Sequence, residues 1–279
     1  MEILDVLIVD DEPAAQRYLI ALLEKFCPGF RIAAAAENGE EALALIRRGP
    51  PDLVITDIRM PVMDGLALAG RVKAEFPDLA LVIASGYQDF EYARTALRHG
   101  VLDYLLKPVN GQQLAEQLAG LYRKLAGQRY WQRCFLLRQV VSGTVADEAR
   151  LRRFLPFPRD FAAALRQGGL PSRFAPPGAE PLADRCRSGG QLVAGNVWVL
   201  PGRDDQEVLC VVAPDLATGD AWTQLVRNAA GTIAGDWHTL LFDNEAHGLD
   251  RLRGTAMELW AGLDRLVVFG QSRVLSGLA

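Results

Sequence analysis

Between residues 1 and 109 the chain alternates short, almost wholly apolar runs with stretches whose apolar residues recur at helical spacing, and that alternation leaves few folds open. LDVLIV, FRIAAAA, DLVIT, LALVIA and LDYLL are apolar enough to be strands buried on both faces. PAAQRYLIALLEKF, GEEALALIRR, GLALAGRVKAEF and FEYARTALRHG lie between them with the spacing of amphipathic helices. Such strict alternation implies right-handed βαβ crossovers. The expected fold is α/β: a five-stranded, doubly wound parallel sheet with helices on both sides. Pro13, Pro77, Pro108, Gly39 and Gly100 fall at the boundaries between elements.

From Asn110 a fifth helix begins. Leu114, Leu118, Leu121 and Leu125 keep to one face, and Trp131, Phe135 and Val140 extend the pattern toward a single long helix ending near Val141. Gly120 and Gly127 work against it, each costing ~1 kcal/mol relative to alanine. Residues 146–155 look helical, and 168–190, rich in Gly and Pro, reads as loop. NVWVLP and EVLCVVAP, parted by GRDDQ, form a hairpin signature, and helical stretches near 216–232 and 248–262 bracket a strand at WHTLLF. The expected division is a domain at 1–125, a helical linker at 126–144 and a smaller α+β domain at 145–279.

Composition excludes several classes of function. The net charge of −4 divides into −7 over residues 1–120 and +3 over 121–279, so neither half has the basic surplus of a dedicated nucleic-acid binder. Cys27, Cys134, Cys186 and Cys210 are widely separated with no CxxC pair, which points to buried free thiols in a reducing compartment and not to zinc. The start, MEILDVLIVDDEP, is acidic where a secretory signal is basic, and no stretch reaches ~18 uninterrupted apolar residues, so a cytoplasmic protein without a membrane span is expected. Trp198, Trp222, Trp237 and Trp260 lack basic interleaving and read as core residues. His99 ends a predicted helix, where it complements the dipole, and His238 and His247 have no companion ligands.

The chemistry concentrates at strand ends. Asp10 and Asp11 close the first apolar run and Asp57 the third, and in a parallel sheet these ends share the edge where ligands bind. Three converging carboxylates repel, and a hard divalent cation, Mg²⁺ before others, is the natural remedy. Lys107 and Ser85 close the fifth and fourth runs at the same edge. A cation and a hydroxyl opposite a metal-bound carboxylate suit a phosphoryl group, whose charge is spread over three peripheral oxygens. Asp57 is the candidate nucleophile, and Gly86 leaves space for a donor.

With Asp10-Asp11, VITDIRMPVMDG, Ser85 and Lys107-Pro108 in this order, residues 4–125 resemble the receiver domain of two-component response regulators. The resemblance implies that Asp57 is the phosphoacceptor, with a sensor histidine kinase as donor. It implies that Asp10, Asp11 and Asp57 hold Mg²⁺ with the backbone carbonyl of Arg59, and that Ser85 and Lys107 bind the phosphoryl group. Tyr104 matches the family's switch aromatic, and the Lys-Pro peptide is expected to be cis. SGYQDFEYARTALRHGVLDYLLKPV is similar to the subgroup whose output is an AraC-type pair of helix-turn-helix units. There, a linker and an α/β middle domain precede the DNA reader, and residues 130–275 resemble that middle piece. The expected fold is a degenerate relative of nucleotide cyclases, without cyclase activity, because Gly189 and Gly190 lack the acidic pair of a GGDEF signature. No DNA-reading helices follow, so DNA contact is expected only through a domain absent from this chain. Arg123, Lys124, Arg129, Arg133 and Arg138 read as a solvated helix face. The expected protein is thus a non-enzymatic transcriptional regulator that forms a homodimer through its fourth helix, fifth strand, fifth helix and linker. The alternative is a phosphorylation-switched protein- or ligand-binding, or enzymatic, module without DNA contact.

Overall fold

The computed structural model describes residues 2–86, 101–144, 150–151, 154–155, 160–167, 181–188, 197–213, 238–243, 245–267 and 271–276. Two compact units, Met1–Gly127 and Gln128–Ala279, make up the chain.

In the first unit, strands β1 (Leu4–Val9), β2 (Phe30–Ala36), β3 (Leu53–Thr56), β4 (Ala80–Ser85) and β5 (Asp103–Leu106) form one parallel sheet in the order β2-β1-β3-β4-β5. Alternate residues of β1 serve opposite cores, as the two-residue period of a strand requires. Leu4, Val6 and Ile8 pack with Leu19, Leu23, Leu114 and Leu118 on one side. Leu7 and Val9 pack with Leu43, Ile46, Leu68 and Val72 on the other. The helices begin where the sequence supplies caps. Asn38 accepts from Glu41 N at 3.0 Å, and Glu41 returns a bond to Glu37 N at 2.8 Å. Asp64 accepts from Ala67 N at 2.7 Å, and Pro13 stands at the first position of Pro13–Phe26. Each side-chain cap contributes about 1 kcal/mol.

Burial on both faces holds for β1, β3 and β4 but not for β2 or β5, a correction to the sequence expectation. These two are the edge strands, covered less completely, and in β2 the Arg31 side chain stands 68% exposed. The predicted helix FEYARTALRHG, with His99, lies outside the described residues.

One helix, Gly111–Ser142, runs through Gly120 and Gly127. It ends at Gly143, whose φ of +74° suits glycine. There Gly143 N donates to Val140 O and Thr144 N to Gln139 O, the paired bonds of a Schellman cap.

The second unit holds β6 (Phe161–Gln167), β7 (Val197–Pro201), β8 (Glu207–Val212), β9 (His238–Phe242) and β10 (Arg273–Ser276), in the order β10-β9-β6-β8-β7. β6 is antiparallel to β8 and β9, β7 is antiparallel to β8, and β10 is parallel to β9. Without β10, this is the split βαβ order of an α+β domain. One face is covered by Leu182, Ala183 and Cys186 of helix Leu182–Ser188. That helix corrects the expectation of loop through residue 190: three apolar residues on one face gain enough burial to order it. The other face packs against helix Leu252–Leu266 and against Cys134, Leu136, Leu137 and Val141 from the stretch expected as linker. Trp198 and Trp260 are buried there, and all four cysteines are buried and free. Trp222, Trp237, Gly189, Gly190 and the stretch 216–232 lie outside the described residues.

Candidate functional site

Each side chain at the head of the parallel sheet is placed by the strand before it. Asp10 follows β1 and is held by Asp10 N to Ala36 O at 3.0 Å. Asp57 follows β3, with Asp57 N bonded to Val9 O at 2.8 Å, and Lys107 follows β5, with Lys107 N bonded to Ser85 O at 2.8 Å. Three strands thus deliver three charged groups to one point. Lys107 Nζ lies 2.7 Å from Asp10 Oδ2 and 3.0 Å from Asp57 Oδ1. Both carboxylates are also held by turns onto their own backbone: Asp10 Oδ1 accepts from Glu12 N at 3.0 Å and Asp57 Oδ2 from Arg59 N at 3.1 Å. Sequence reasoning missed these two donors, although an aspartate with a free N–H two residues on is their usual signature.

Burial sorts the groups. Asp10 and Ser85 are buried, the Asp57 side chain is 14% exposed, and Asp11 is exposed. Burial acts to lower the pKa of Lys107, but its hydrogen bonds and charge attraction with Asp57 and Asp10 prevail and hold it above an ordinary lysine. The ammonium therefore stays charged throughout the physiological range.

The loop after Asp57 is tightly folded. Gly65 N donates to Ile58 O at 2.8 Å, and a Cβ on Gly65 would stand 2.0 Å from Asp57 O, so only glycine fits. Met63 N bonds back to Pro61 O at 2.7 Å around Val62, which has a φ of +67°. Tyr104 is half-buried on β5 against the core beneath, paired in register with Ile83. The peptide Lys107-Pro108 is cis.

The donor set suits a hard divalent cation, which takes one or two carboxylates and keeps several waters. Asp10 and Asp57 meet at a common cation and provide that pair. Among the described residues, no three His, Cys, Asp or Glu side chains gather as a metal-holding group, and Asp11, next to Asp10 in the chain, is exposed.

In the second unit His247 Nε2 lies 2.6 Å from Asp243 Oδ2, and His247 exchanges two backbone hydrogen bonds with Asp160. Asp160 is buried with Oδ2 unpaired, and burial raises its pKa to about 7, with His247 opposing and Asp250 adding to the shift. His247 has a packing role, as its sequence context suggests, whereas Asp160 carried no signal of burial.

Comparison with known proteins reaches the first unit. The response regulator receiver domain family matches residues 6–119. The uncharacterized transcriptional regulatory protein YesN of Bacillus subtilis is 38% identical over 123 residues, covering 44% of this chain and 33% of YesN. The transcriptional regulatory protein HptR of Staphylococcus aureus is 41% identical over 124 residues, or 44% of this chain and 48% of HptR. The chain thus spans half or less of the length of these relatives. The solved receiver domain of AraT, a response regulator from Geobacillus stearothermophilus, is 36% identical, with 46% of this chain and 98% of that one covered and a TM-score of 0.42. Residues 6–119 are a response regulator receiver domain.

Proposed function

We propose that the chain is a response regulator of a two-component phosphorelay in which Asp57 accepts a phosphoryl group from a sensor histidine kinase. The observation that carries this reading is Lys107 Nζ held between Asp10 and Asp57 at the head of the sheet. In the transfer, an Asp57 oxygen attacks phosphorus, the new P–O bond forms as the P–N bond to the donor imidazole breaks, and the imidazole leaves with the electron pair. Arg59 N–H keeps the Asp57 carboxylate turned toward the donor. Lys107 exchanges a carboxylate oxygen for a phosphoryl oxygen, and the Ser85 hydroxyl binds another, with Tyr104 following it inward. Asp10, Asp11, Asp57 and the backbone carbonyl of Arg59 would hold Mg²⁺, which would supply charge neutralisation on the phosphoryl oxygens. The chain acts as a switch in the cytoplasm and turns over no free substrate. Among the described residues no helix is long and apolar enough to cross a membrane.

Transcription is the proposed output, in keeping with the names of the YesN and HptR relatives. It would act through self-association as a homodimer and through a DNA-binding domain outside residues 1–279. One observation supports the alternative of a protein- or ligand-binding output without DNA contact: the second unit is a sheet domain with its own packed cores. A salt-sensitive, sequence-specific DNA shift by the intact protein separates the two.

The test of the site is phosphorylation by acetyl phosphate. Mg²⁺-dependent, acid-labile phosphate is expected on the wild type and none on Asp57→Asn. Equal labelling of that variant would place the acceptor elsewhere.

A further inference from the structure

The part of helix Gly111–Ser142 that belongs to the second unit has two unlike faces. One carries Cys134, Leu136, Leu137 and Val141 into that unit's core. The other carries Gln128, Trp131, Phe135, Arg138 and Ser142, all exposed. Their spacing of three, four, three and four residues keeps them within an arc of about 80° on a helix of 3.6 residues per turn. That is the seam spacing of paired helices. Trp131 and Phe135 are each 56% exposed, although both are large and apolar. Trp131 is nevertheless held in place: the Arg187 guanidinium lies 4.9 Å from its ring centroid, and Tyr130 meets it edge-on at 5.8 Å. A positioned indole loses little freedom on docking, as binding anchors require.

We propose that this stripe docks on the same stripe of a second copy of the chain, the two helices running antiparallel and crossing at Phe135. The charge pattern selects both the partner and the direction. In a parallel pair each residue would face its own copy, and the two Arg138 guanidiniums would meet. In an antiparallel pair the 1.5 Å rise per residue puts Trp131 about 6 Å to one side of Phe135, and the partner's Arg138 about 4.5 Å to that same side. Each indole then faces a guanidinium, a favourable cation–π pairing. The two-fold axis makes each such contact twice, so the surface is self-complementary. The apolar area is well short of the ~800 Å² per partner of a standard interface, so the association is weak and concentration-dependent. It deepens the homodimer reading above by naming a surface, and it does not depend on phosphorylation of Asp57.

The test is cysteine trapping on the full chain, whose four native thiols are buried. Under a mild oxidant, Phe135→Cys is expected to form a disulfide dimer. Trp131→Cys and Arg138→Cys should each stay monomeric alone and link when mixed. Phe135→Glu should lower the mass seen by light scattering at high concentration about two-fold, with its circular dichroism and melting unchanged because the site is exposed. Self-linking of Trp131→Cys would overturn the antiparallel arrangement. A dimer that Phe135→Cys fails to trap would overturn this surface while leaving the homodimer reading standing. A wild-type chain that stays monomeric at every concentration, with and without beryllofluoride and Mg²⁺, would overturn both.

Discussion

The two units bury charge in opposite ways. In the second, Glu207 has no exposed side-chain surface and accepts from Arg166 Nε at 2.8 Å and from Arg203 Nη2 at 2.6 Å and Nε at 2.9 Å. Arg203 goes on to Asp264 with two bonds of 2.6 and 2.7 Å, and Arg166 reaches Asp204 at 3.2 Å. Planar guanidinium forks hold the Glu207 carboxylate from two sides, and losing them would leave its buried charge uncompensated. In the first unit two carboxylates share one ammonium, a point charge on a flexible stem that can change partners. The saturated network is built for permanence, and the shared lysine for exchange.

That comparison is most easily broken at Glu207. Glu207→Ala should destabilise the second unit by about 3–5 kcal/mol, the cost of removing one member of a buried charge network. Urea denaturation measures it, and a loss under 1 kcal/mol would mean that the network is dispensable. The pH dependence follows. Burial acts to raise the pKa of Glu207, but the hydrogen bonds of Arg203 and the charges of Arg166 and Arg203 bring it below the usual carboxylate range. Its contribution is therefore present above the unfolded pKa and lost as pH falls through the lower folded value.

A smaller effect is expected beside Asp57, the proposed acceptor. Gly65→Ala must push a methyl group into the Asp57 carbonyl, and overpacking of this kind costs about 1–3 kcal/mol. Because the displaced group is the backbone of the proposed acceptor, the rate of labelling by acetyl phosphate should fall as well. Unchanged stability with unchanged labelling would show that the loop relaxes freely.

The units also differ in how far their sequences disclose them. In the first, Asp10, Asp57, Ser85 and Lys107 each stand at the end of an apolar run, so the pattern that predicts a strand also predicts the site residue. In the second, FAAALRQ carries no strand signature, although β6 is the central strand, bonded on both sides by β8 and β9. Its three alanines favour helix locally, and the strand state is imposed by neighbours distant in sequence. Helix Leu182–Ser188 was hidden in a Gly- and Pro-rich stretch. The pairing of Asp160 with His247 left no trace because it depends on how β6 and β9 align, which no local pattern encodes.

Asp160 yields a prediction of the opposite sign to Glu207. Burial raises its pKa to about 7, so its stabilising form is the neutral one. Stability is complete below the unfolded value near 4 and declines as pH rises through about 7. Asp160→Asn should therefore gain about 1–2 kcal/mol over the wild type at pH 8, because the amide has the shape of the neutral carboxyl and buries no charge, and almost nothing at pH 4. Parallel melting curves at the two pH values decide it. A gain that does not change with pH would mean that the carboxyl is not titrating in the folded state.

The smallest effect sharpens the comparison most. In Asp57→Asn the single amide oxygen can keep only one of the two bonds that Asp57 Oδ2 and Oδ1 accept from Arg59 N–H and Lys107, whereas repulsion between the Asp57 and Asp10 carboxylates disappears. Against this, Lys107 loses the charge of one partner but keeps Asp10 at 2.7 Å. With Asp57 partly reached by solvent and Lys107 about a quarter exposed, the opposing changes are screened and should nearly cancel. Stability in the absence of metal is expected to shift by no more than about 1 kcal/mol, several-fold less than at Glu207. Stabilisation by added Mg²⁺ should weaken, because binding to the folded state alone is what raises stability. Equilibrium urea denaturation with and without Mg²⁺ supplies both numbers. A loss near that of Glu207→Ala would show that Asp57 is part of a structural charge network, and the contrast between an exchangeable site and a fixed one would fall.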